Sequence, residues 1–364
     1  GPVTTAAASV SRSKRAASRS ASKADSVFGS IGFQATDRLS LSLEARRQND
    51  EQTSGVGTAL PFSVETKATL PRFLGRYSLN DETNLFVNYA KGNQPTLGYA
   101  TFFQLTPAQQ TVALANGLVP AAPEAEIENY EIGIKHREDD GSWYLNASLY
   151  YLEWVGRQGV RTLQIDLNGD GVITNLPAPA GENFNASPFA AGDSNTKGIE
   201  IDGALRLGEG WTVGGSVAYA DTEITKALNE TIPLRFLGLT DAKGFKYPLV
   251  PAFSGAAYVQ YDQKLSDARS WFVRADMTYI GKRYDSIANF AYVPGQLRTN
   301  LRGGLRAEKW DVTAFVTNLF DDDTLESCRY QSDSATDPFF FQLASCEAVL
   351  PNKRQFGVTA TFRF

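Results

Sequence analysis

The sequence predicts an all-β chain that forms part of a transmembrane antiparallel β-barrel. Three features of its 364 residues lead to this prediction. Apolar and polar residues alternate along many short segments, as expected for strands with one apolar and one wet face. The connections between these segments alternate between short and long. Four of the five tryptophans stand beside the short connections.

The alternation predicts about thirteen strands. In the C-terminal strand one face carries Phe356, Val358, Ala360, Phe362 and Phe364. Such a strand needs a cover for its apolar face, and lipid is one such cover. The predicted strands lie near residues 26–35, 38–47, 67–79, 84–91, 126–137, 143–154, 197–207, 211–221, 252–263, 270–282, 296–306, 310–318 and 353–364.

The connections alternate strictly in length, and the short ones have the composition of tight turns. The long ones, such as residues 92–125 and 155–196, hold about fifteen to forty residues rich in Gly, Pro, Asn and Asp. This asymmetry is typical of an outer-membrane barrel with short periplasmic turns and long extracellular loops. The short turns are predicted at residues 35–38, 79–83, 138–142, 208–210, 266–269 and 307–309.

The tryptophans favour a membrane wall over a soluble barrel, which would show the same alternation with its apolar set buried. Each of the four begins an outgoing strand in phase with its apolar residues, so all four are expected at one height. Indole prefers the membrane–water boundary, because its ring is apolar and its N–H stays hydrated. The predicted periplasmic aromatic girdle consists of Trp143, Trp211, Trp271 and Trp310.

The composition agrees with a wall in which every second residue is polar. Hydrophobic residues make up 42% of the chain and the mean hydropathy is −0.27. The sequence contains no apolar run of transmembrane-helix length. A net charge of −5 and a pI of about 5.2 exclude a nucleic-acid-binding function, because no broad basic surface exists to displace counterions.

Residues 1–25 are predicted to be a flexible segment or loop rich in Ser, Ala and Arg, and residues 26–364 to be barrel. An odd number of strands would leave unpaired edges, which lipid cannot satisfy. We therefore expect the first strands to lie N-terminal to this sequence, either cut away or on another chain. Residues 3–24 lack the apolar segment of a signal peptide, so a signal lay upstream or the protein stays in the cytosol.

Six segments resemble the C-terminal part of TonB-dependent outer-membrane receptors, in the order and spacing of that family. Together they cover nearly everything from residue 26 to 364. They are the strand, turn and strand from Phe28 to Leu41, Tyr89-Ala90-Lys91-Gly92-Asn93-Gln94-Pro95, Glu128-Asn129-Tyr130-Glu131-Ile132-Gly133, Thr196-Lys197-Gly198-Ile199-Glu200, Asn318-Leu319-Phe320-Asp321 and the terminal Phe364.

The resemblance implies a plugged barrel in the bacterial outer membrane, to which this chain contributes about 13 of 22 strands, the tenth to the last. It implies that the complete receptor takes up a scarce ligand, commonly a ferric siderophore, through a plug moved by TonB and the proton-motive force. This sequence shows no plug domain and no TonB box. The expected partners are therefore outer-membrane lipid, an N-terminal plug with the first strands, TonB acting through that part, and a small-molecule ligand.

No enzyme is predicted. His136, the single histidine, stands beside a turn, where a solvated turn residue is expected instead of a catalytic base. Cys328 and Cys346 flank one segment of the last long connection. In an oxidising compartment they are predicted to form a disulfide, with two free thiols as the alternative.

Residues 166–174 have the spacing of a calcium-binding loop, the one cofactor site that the sequence suggests. Position 12 is Pro177 and not the usual Glu, so Glu182 or another loop must complete the shell. The alternative is an ordinary hairpin tip, whose φ > 0 positions require the same residue types. The predicted ligands at positions 1, 3, 5 and 7 are Asp166, Asn168, Asp170 and the carbonyl of Val172.

Ligand capture is predicted in the long loops and the upper lumen. Aromatic rings beside inward-facing arginines suit an aryl-rich anionic ligand such as a catecholate chelate. The alternative is that the arginines only pair with carboxylates and that the rings only pack on one another. The candidate residues are Phe102, Phe103, Trp154, Phe236, Tyr284, Arg298, Arg302, Tyr330 and Phe340.

The predicted function is active outer-membrane uptake of a scarce ligand, most simply a siderophore–iron complex. A passive porin-like channel or a structural or adhesive outer-membrane barrel is the alternative. A soluble β-sandwich binding module ranks third.

Overall fold

The computed structural model describes residues 5–17, 20–54, 62–174, 176–227, 238–239, 241–332 and 344–363. A 3₁₀ turn covers Phe102–Gln104, and helix α1 covers Pro107–Ala115. The strands are β1 (Thr5–Ala17), β2 (Ser20–Gln34), β3 (Leu39–Ser54), β4 (Phe62–Ser78), β5 (Thr83–Gln94), β6 (Leu97–Gly98), β7 (Ala121–Ala122), β8 (Ala125–Arg137), β9 (Trp143–Gln164), β10 (Asn183–Leu207), β11 (Trp211–Ala227), β12 (Phe253–Ser266), β13 (Arg269–Ile280), β14 (Arg283–Tyr284), β15 (Tyr292–Val293), β16 (Gln296–Ala307), β17 (Trp310–Thr317), β18 (Ser327–Ser332), β19 (Ala344–Val349) and β20 (Gln355–Phe362).

Fourteen of these strands form one antiparallel sheet in which each strand pairs with the next along the chain. The order is β1, β2, β3, β4, β5, β8, β9, β10, β11, β12, β13, β16, β17 and β20. The remaining strands form three two-stranded sheets within the long connections, β6 with β7, β14 with β15 and β18 with β19. The predicted all-β transmembrane architecture is confirmed.

All six predicted short turns connect paired strands at one edge of the sheet. The long connections lie at the opposite edge and include residues 95–124, 281–295 and 318–354. In the described ranges, the helices are too short and too polar to cross a bilayer.

Two predicted non-strand stretches differ in the structure. The segment 1–25, predicted to be flexible, contains β1 and the start of β2, and these two strands pair from Thr5↔Gly32 to Ala17↔Ser20. This adds a fourteenth strand to the thirteen predicted. The stretch 155–196, predicted to be a loop, is mostly strand, because β9 continues to Gln164 and β10 begins at Asn183. Both stretches lack clear apolar alternation, which was the signal used to find strands.

Large apolar side chains are exposed along one face of the sheet. One register row of apolar residues crosses six strands, and exposure within it ranges from 8% at Val316 to 76% at Phe356. A soluble barrel would bury this set, whereas a membrane barrel turns it toward lipid. The row consists of Val213, Val259, Ala275, Leu301, Val316 and Phe356.

The tryptophans of the predicted girdle begin their strands on this outer face. Trp143, Trp211 and Trp310 are first residues of strands, and Trp271 is the third residue of β13. The Tyr261 ring lies between two of them, 4.8 Å from Trp211 and 5.4 Å from Trp271. The assignment of this ring of side chains to the periplasmic membrane boundary stays a prediction.

A second aromatic level, which the sequence prediction missed, lies on the same face. Three tyrosines each follow a girdle tryptophan by eight residues, about 26 Å along a strand. An apolar band about 25 Å tall between two aromatic girdles is typical of membrane barrels. Because strands in such barrels are tilted, the height between the two aromatic levels is somewhat less than the distance along the strand. The three pairs are Trp143 with Tyr151, Trp211 with Tyr219 and Trp271 with Tyr279.

Candidate ligand-capture site

The inner face of the sheet carries paired charges. Register places Arg274 directly opposite Arg302, and both approach the Asp276 carboxylate, at 2.7 Å and 3.8 Å. Arg306 pairs with Asp262 at 2.9 Å. Pairing with strand carboxylates, the alternative to ligand binding for the inward arginines, is therefore observed for Arg274, Arg302 and Arg306. Because two arginines share one carboxylate, and Arg302 is 48% exposed, this part of the lumen keeps a positive charge.

Another part of the inner face, lined by β4, β5, β8, β9 and β10, is a polar groove of about 620 Å³. Arg72 donates to the Asn88 side chain at 3.1 Å and lies 3.5 Å from Glu44. The Asn146 amide donates to Asp202 at 3.0 Å. The lumen is thus lined by side chains of both charges that are already held by neighbours.

An aromatic and cationic group stands above this groove, at the long-loop end of β9. Trp154 points inward, because it alternates with outward-facing Val155, and its ring lies 6.0 Å from Tyr247. The guanidinium of Arg157 lies 5.4 Å from the Tyr247 ring. The Tyr247 amide donates to Thr222 Oγ1 at 2.9 Å, which fixes the loop that carries it. We call Trp154, Arg157 and Tyr247 the upper-lumen group.

The upper-lumen group contains donors that have no acceptor. The Nε1 of Trp154 and the Nε of Arg157 are buried, and neither has a hydrogen-bond partner in the described part of the chain. A buried donor without an acceptor costs about 1–3 kcal/mol. An anionic acceptor bound between these side chains would remove that cost.

Phe102 and Phe103, which were predicted to contact ligand, pack against other side chains of the loops, and their role in ligand binding stays a prediction. Phe102 is 5% exposed in a hydrophobic cluster, and Phe103 stacks on Phe62 with ring centroids 4.5 Å apart. Both rings pack inside the loop structure because α1 folds over them. The predicted Phe236 and Phe340 lie outside the described residues, as does the side chain of Tyr330.

The hydrophobic cluster joins two long connections above the sheet. Phe184 and Leu118 are completely buried within it. Tyr99 donates its hydroxyl to the Asn185 carbonyl at 2.9 Å, and burial raises the pKa of the Tyr99 hydroxyl. Helix α1 is held at its start by a capping box between Thr106 and Gln109. The two-loop cap, as we name it, consists of Tyr99, Phe102, Leu105, Ala113, Leu118, Ile165, Leu167 and Phe184.

The other predicted ligand residues lie in different connections. Tyr284 pairs with Tyr292 across β14 and β15, and the Lys282 ammonium lies 4.6 Å from the Tyr284 ring. Arg298 forms an ion pair with Glu326 at 2.7 Å. Their role in ligand binding stays a prediction.

The predicted calcium loop is held by its own backbone amides. The Asp166 carboxylate accepts from Gly171 at 2.8 Å and from Gly169 at 2.6 Å. These bonds, that from Gly171 foremost, lower the pKa of Asp166. Glu182, 5% exposed, accepts from the amides of Leu167 and Thr174, so it closes the two ends of the loop. A calcium ion at Asp166, Asn168, Asp170 and the Val172 carbonyl stays a proposal.

We expect Asp166→Asn to loosen this loop, because an amide has one acceptor oxygen in place of two. The sign of the pH effect follows from the lowered pKa. The stabilisation is complete above the ordinary Asp value of about 3.9 and is lost as the pH falls through the lowered pKa. Hydrogen exchange of residues 166–174 measures both effects, with and without millimolar Ca²⁺. Asp241→Asn is the control, since Asp241 caps another loop, and equal exchange in the two variants would contradict the expectation.

The two cysteines lie on one face of the β18–β19 hairpin. Cys328 is buried opposite Ala348, and Cys346 stands opposite Tyr330, two residues along. This register puts the two cysteines at diagonal positions of the hairpin. The side chain of Cys346 is outside the described residues, so the bond stays a prediction.

His136 is not the solvated turn residue that was predicted. Its ring stacks on Trp143 with centroids 4.0 Å apart, and its side chain is 15% exposed. The reason is the register of β8 and β9, which puts both rings on the outer face beside the turn at residues 138–142.

A family model described as TonB dependent receptor-like, beta-barrel matches residues 1–319. The chain belongs to this family. Its location is therefore the bacterial outer membrane, as predicted. The match begins inside the segment that was predicted to be flexible, in agreement with the strand found there.

Solved receptors share the fold of this TonB-dependent receptor barrel. The ferric yersiniabactin uptake receptor FyuA from Yersinia pestis superposes with a TM-score of 0.66 at 17% identity, covering 95% of this chain and 46% of that one. The siderophore receptor PiuA from Acinetobacter baumannii gives 0.64 at 19% identity, covering 95% and 44%. The ferric preacinetobactin receptor BauA, also from Acinetobacter baumannii, gives 0.63 at 18% identity, covering 95% and 43%. This chain spans less than half the length of these receptors.

Sequence reasoning missed two members of the upper-lumen group of this receptor barrel. Arg157 follows Trp154 by three residues, so local sequence could have suggested it. Tyr247 comes from the connection after β11, and only the folded loop brings it to Trp154.

Proposed function

We propose that this barrel belongs to a receptor that takes up a ferric siderophore across the outer membrane. An N-terminal plug and TonB would couple uptake to the proton-motive force. A chelate with anionic aryl groups, such as a ferric catecholate, is the ligand class that we favour. Family membership and three iron-complex receptors of the same fold support uptake of an iron complex.

The observation that carries the ligand class is the upper-lumen group. Its two free donors, Trp154 Nε1–H and Arg157 Nε–H, would donate to catecholate oxygens, which are strong acceptors because they are charged. The Tyr247 and Trp154 rings offer faces against which an aryl ring packs at about 4.5–7 Å between centroids. The carboxylate of Asp276 is shared by Arg274 and Arg302, which leaves positive charge on the inner face of β13 and β16 and favours an anionic ligand.

Transport of ⁵⁵Fe-labelled tris-catecholate, tris-hydroxamate and citrate complexes into cells that express the complete receptor tests the proposal. We expect the catecholate complex to be transported fastest and all transport to stop when a protonophore collapses the proton-motive force. Transport that continues after the collapse would support a passive porin-like channel instead. An equal rate for all three complexes would remove the catecholate assignment but leave active uptake standing.

We expect Trp154→Phe and Arg157→Gln each to weaken binding of the catecholate complex by about tenfold or more, since a hydrogen bond to a charged group contributes about 1.5–3 kcal/mol. Trp154→Phe keeps an aromatic ring and removes the donor. Arg38→Gln serves as the matched control because Arg38 lies in an exposed short turn, far along the strands from the upper lumen. Equilibrium binding to the purified receptor gives the affinities, and unchanged affinity in both variants would show that this group does not contact the ligand.

A further inference from the structure

We propose that Glu82, His136 and Glu138 form a three-ligand site for a zinc-class divalent cation at the short-turn edge of the barrel. One carboxylate oxygen of each Glu and one imidazole nitrogen lie within 4.8 Å of one another. Glu82 comes from the turn at residues 79–83, Glu138 from the turn at residues 138–142 and His136 from the end of β8. The site lies on the outer face, far along the strands from the upper-lumen group, and it is independent of ligand uptake.

The spacing of His136 and Glu138 suits a small cation with short bonds, and the Glu82 oxygen lies within 4.8 Å of both ligand atoms. Nε2 of His136 lies 3.5 Å from Oε2 of Glu138. Two ligands of a tetrahedral zinc ion, with bonds of about 2.0–2.2 Å, are about 3.3–3.5 Å apart. Glu82 completes three protein ligands, and water would take the fourth position. Imidazole with two carboxylates is a donor set that zinc accepts and that calcium and magnesium, which prefer all-oxygen shells, do not.

The other imidazole nitrogen is already fixed. Nδ1 of His136 lies 2.8 Å from the Thr83 hydroxyl, within hydrogen-bond distance. If Nδ1–H donates to Thr83, the lone pair of Nε2 points toward the carboxylates. Nε2 is buried and makes no hydrogen bond to any described residue. A lone pair facing an anionic oxygen is repulsive, and a cation placed between them converts that repulsion into coordination.

Neighbouring groups hold the ligands in position. The Trp143 indole stacks on the His136 ring and donates from Nε1 to Oε2 of Glu138 at 3.1 Å. Asn80 accepts from the amide of Glu82 at 3.1 Å and from that of Thr83 at 2.6 Å, which orders the first turn. Such outer-shell hydrogen bonds typically raise metal affinity by about 10–100-fold. Thr83 and Trp143 are therefore positioning residues.

The test is Co²⁺ titration of the purified, metal-free receptor in detergent at neutral pH. We expect one Co²⁺ per chain with the visible absorption of a four-coordinate ion, quenching of part of the tryptophan fluorescence through Trp143, and displacement by Zn²⁺. Glu82→Gln, His136→Gln and Glu138→Gln should each lose at least tenfold in affinity. Thr83→Val keeps all three ligands and should show an intermediate loss.

The control is Asp139→Asn, which removes one exposed carboxylate from the same turn and should leave Co²⁺ affinity unchanged. Heat-modifiable migration on gels verifies that each variant is folded. Absence of the four-coordinate absorption in the unmodified receptor would overturn the proposal. Equal Co²⁺ affinity in all four variants and the control would overturn it as well, because the metal would then bind elsewhere. A fluorescence change with pH alone, without metal binding, would identify an imidazolium–carboxylate pair instead.

Discussion

Replacing Gly210 by alanine is expected to prevent the barrel from reaching its normal stability. Gly210 lies in the turn between β10 and β11 with φ at +91°, a region that costs a residue with a Cβ about 1–3 kcal/mol. An added Cβ would also lie 2.0 Å from the carbonyl oxygen of Asp262. The chain cannot easily move away, because the Asp262 amide donates to the Gly210 carbonyl at 3.0 Å. We expect a total loss of about 3 kcal/mol or more.

Gly208→Ala is the matched control for this prediction, since it adds the same methyl group to the same turn. A Cβ at Gly208 meets open space. Denaturant unfolding of the two variants in lipid vesicles, followed by tryptophan fluorescence, gives the free energy of unfolding. If both variants unfolded at the same denaturant concentration, the turn geometry described for Gly210 would be wrong.

The short turns were predictable because their chemistry is local. Each holds turn-forming residues between segments that alternate in polarity, and both signals can be read within a few residues. The outer girdle was predictable for the same reason, since each tryptophan directly follows a turn. The second aromatic level was also present in the sequence, as three Trp and Tyr pairs spaced by eight residues, but the spacing has a meaning only once strands and faces are assigned.

Strand ends beyond the apolar band were not predictable from alternation. The upper parts of β9 and β10 mix polar, small and apolar residues, and apolar ones such as Phe184 pack in the two-loop cap and not on the outer face, so no regular alternation results. Gly198 shows a related limit. The ring of Tyr150 from β9 occupies the space where a side chain at this position would lie, and its atoms come within 2.5 Å of the place that a Cβ would take. Nothing in the local sequence pairs these residues, because the pairing depends on register.

The candidate site was predicted by residue type and only partly by position. Trp154 was predicted because it is an aromatic residue where a strand runs into a long connection. The burial of Phe102 was not predicted, because an aromatic residue in a long connection can face solvent, a ligand or another loop, and only the fold distinguishes these. The contact that buries Phe102 joins connections that are far apart in sequence.

The second large effect is expected from Phe184→Ala, which removes the largest fully buried side chain of the two-loop cap. Deleting a buried Phe side chain costs about 3–5 kcal/mol. The cap is a small cluster, so this loss should open it locally while the sheet below stays paired. Hydrogen exchange should rise in residues 97–122 and 163–184, and the barrel strands should keep their protection.

Leu114→Ala is the control for the cap, because Leu114 lies on helix α1 but is half exposed. It should leave exchange in both segments close to that of the unmodified protein.

Opening of the cap should also reach the upper lumen, since Gln158, next to Arg157, donates to the carbonyls of Pro95 and Pro123 in the capped connection, at 2.8 Å each. Catecholate affinity should therefore fall in Phe184→Ala and not in Leu114→Ala. Loss of barrel protection together with the cap would show that the cap and the sheet unfold as one unit, and the local character assigned to the cap would be wrong.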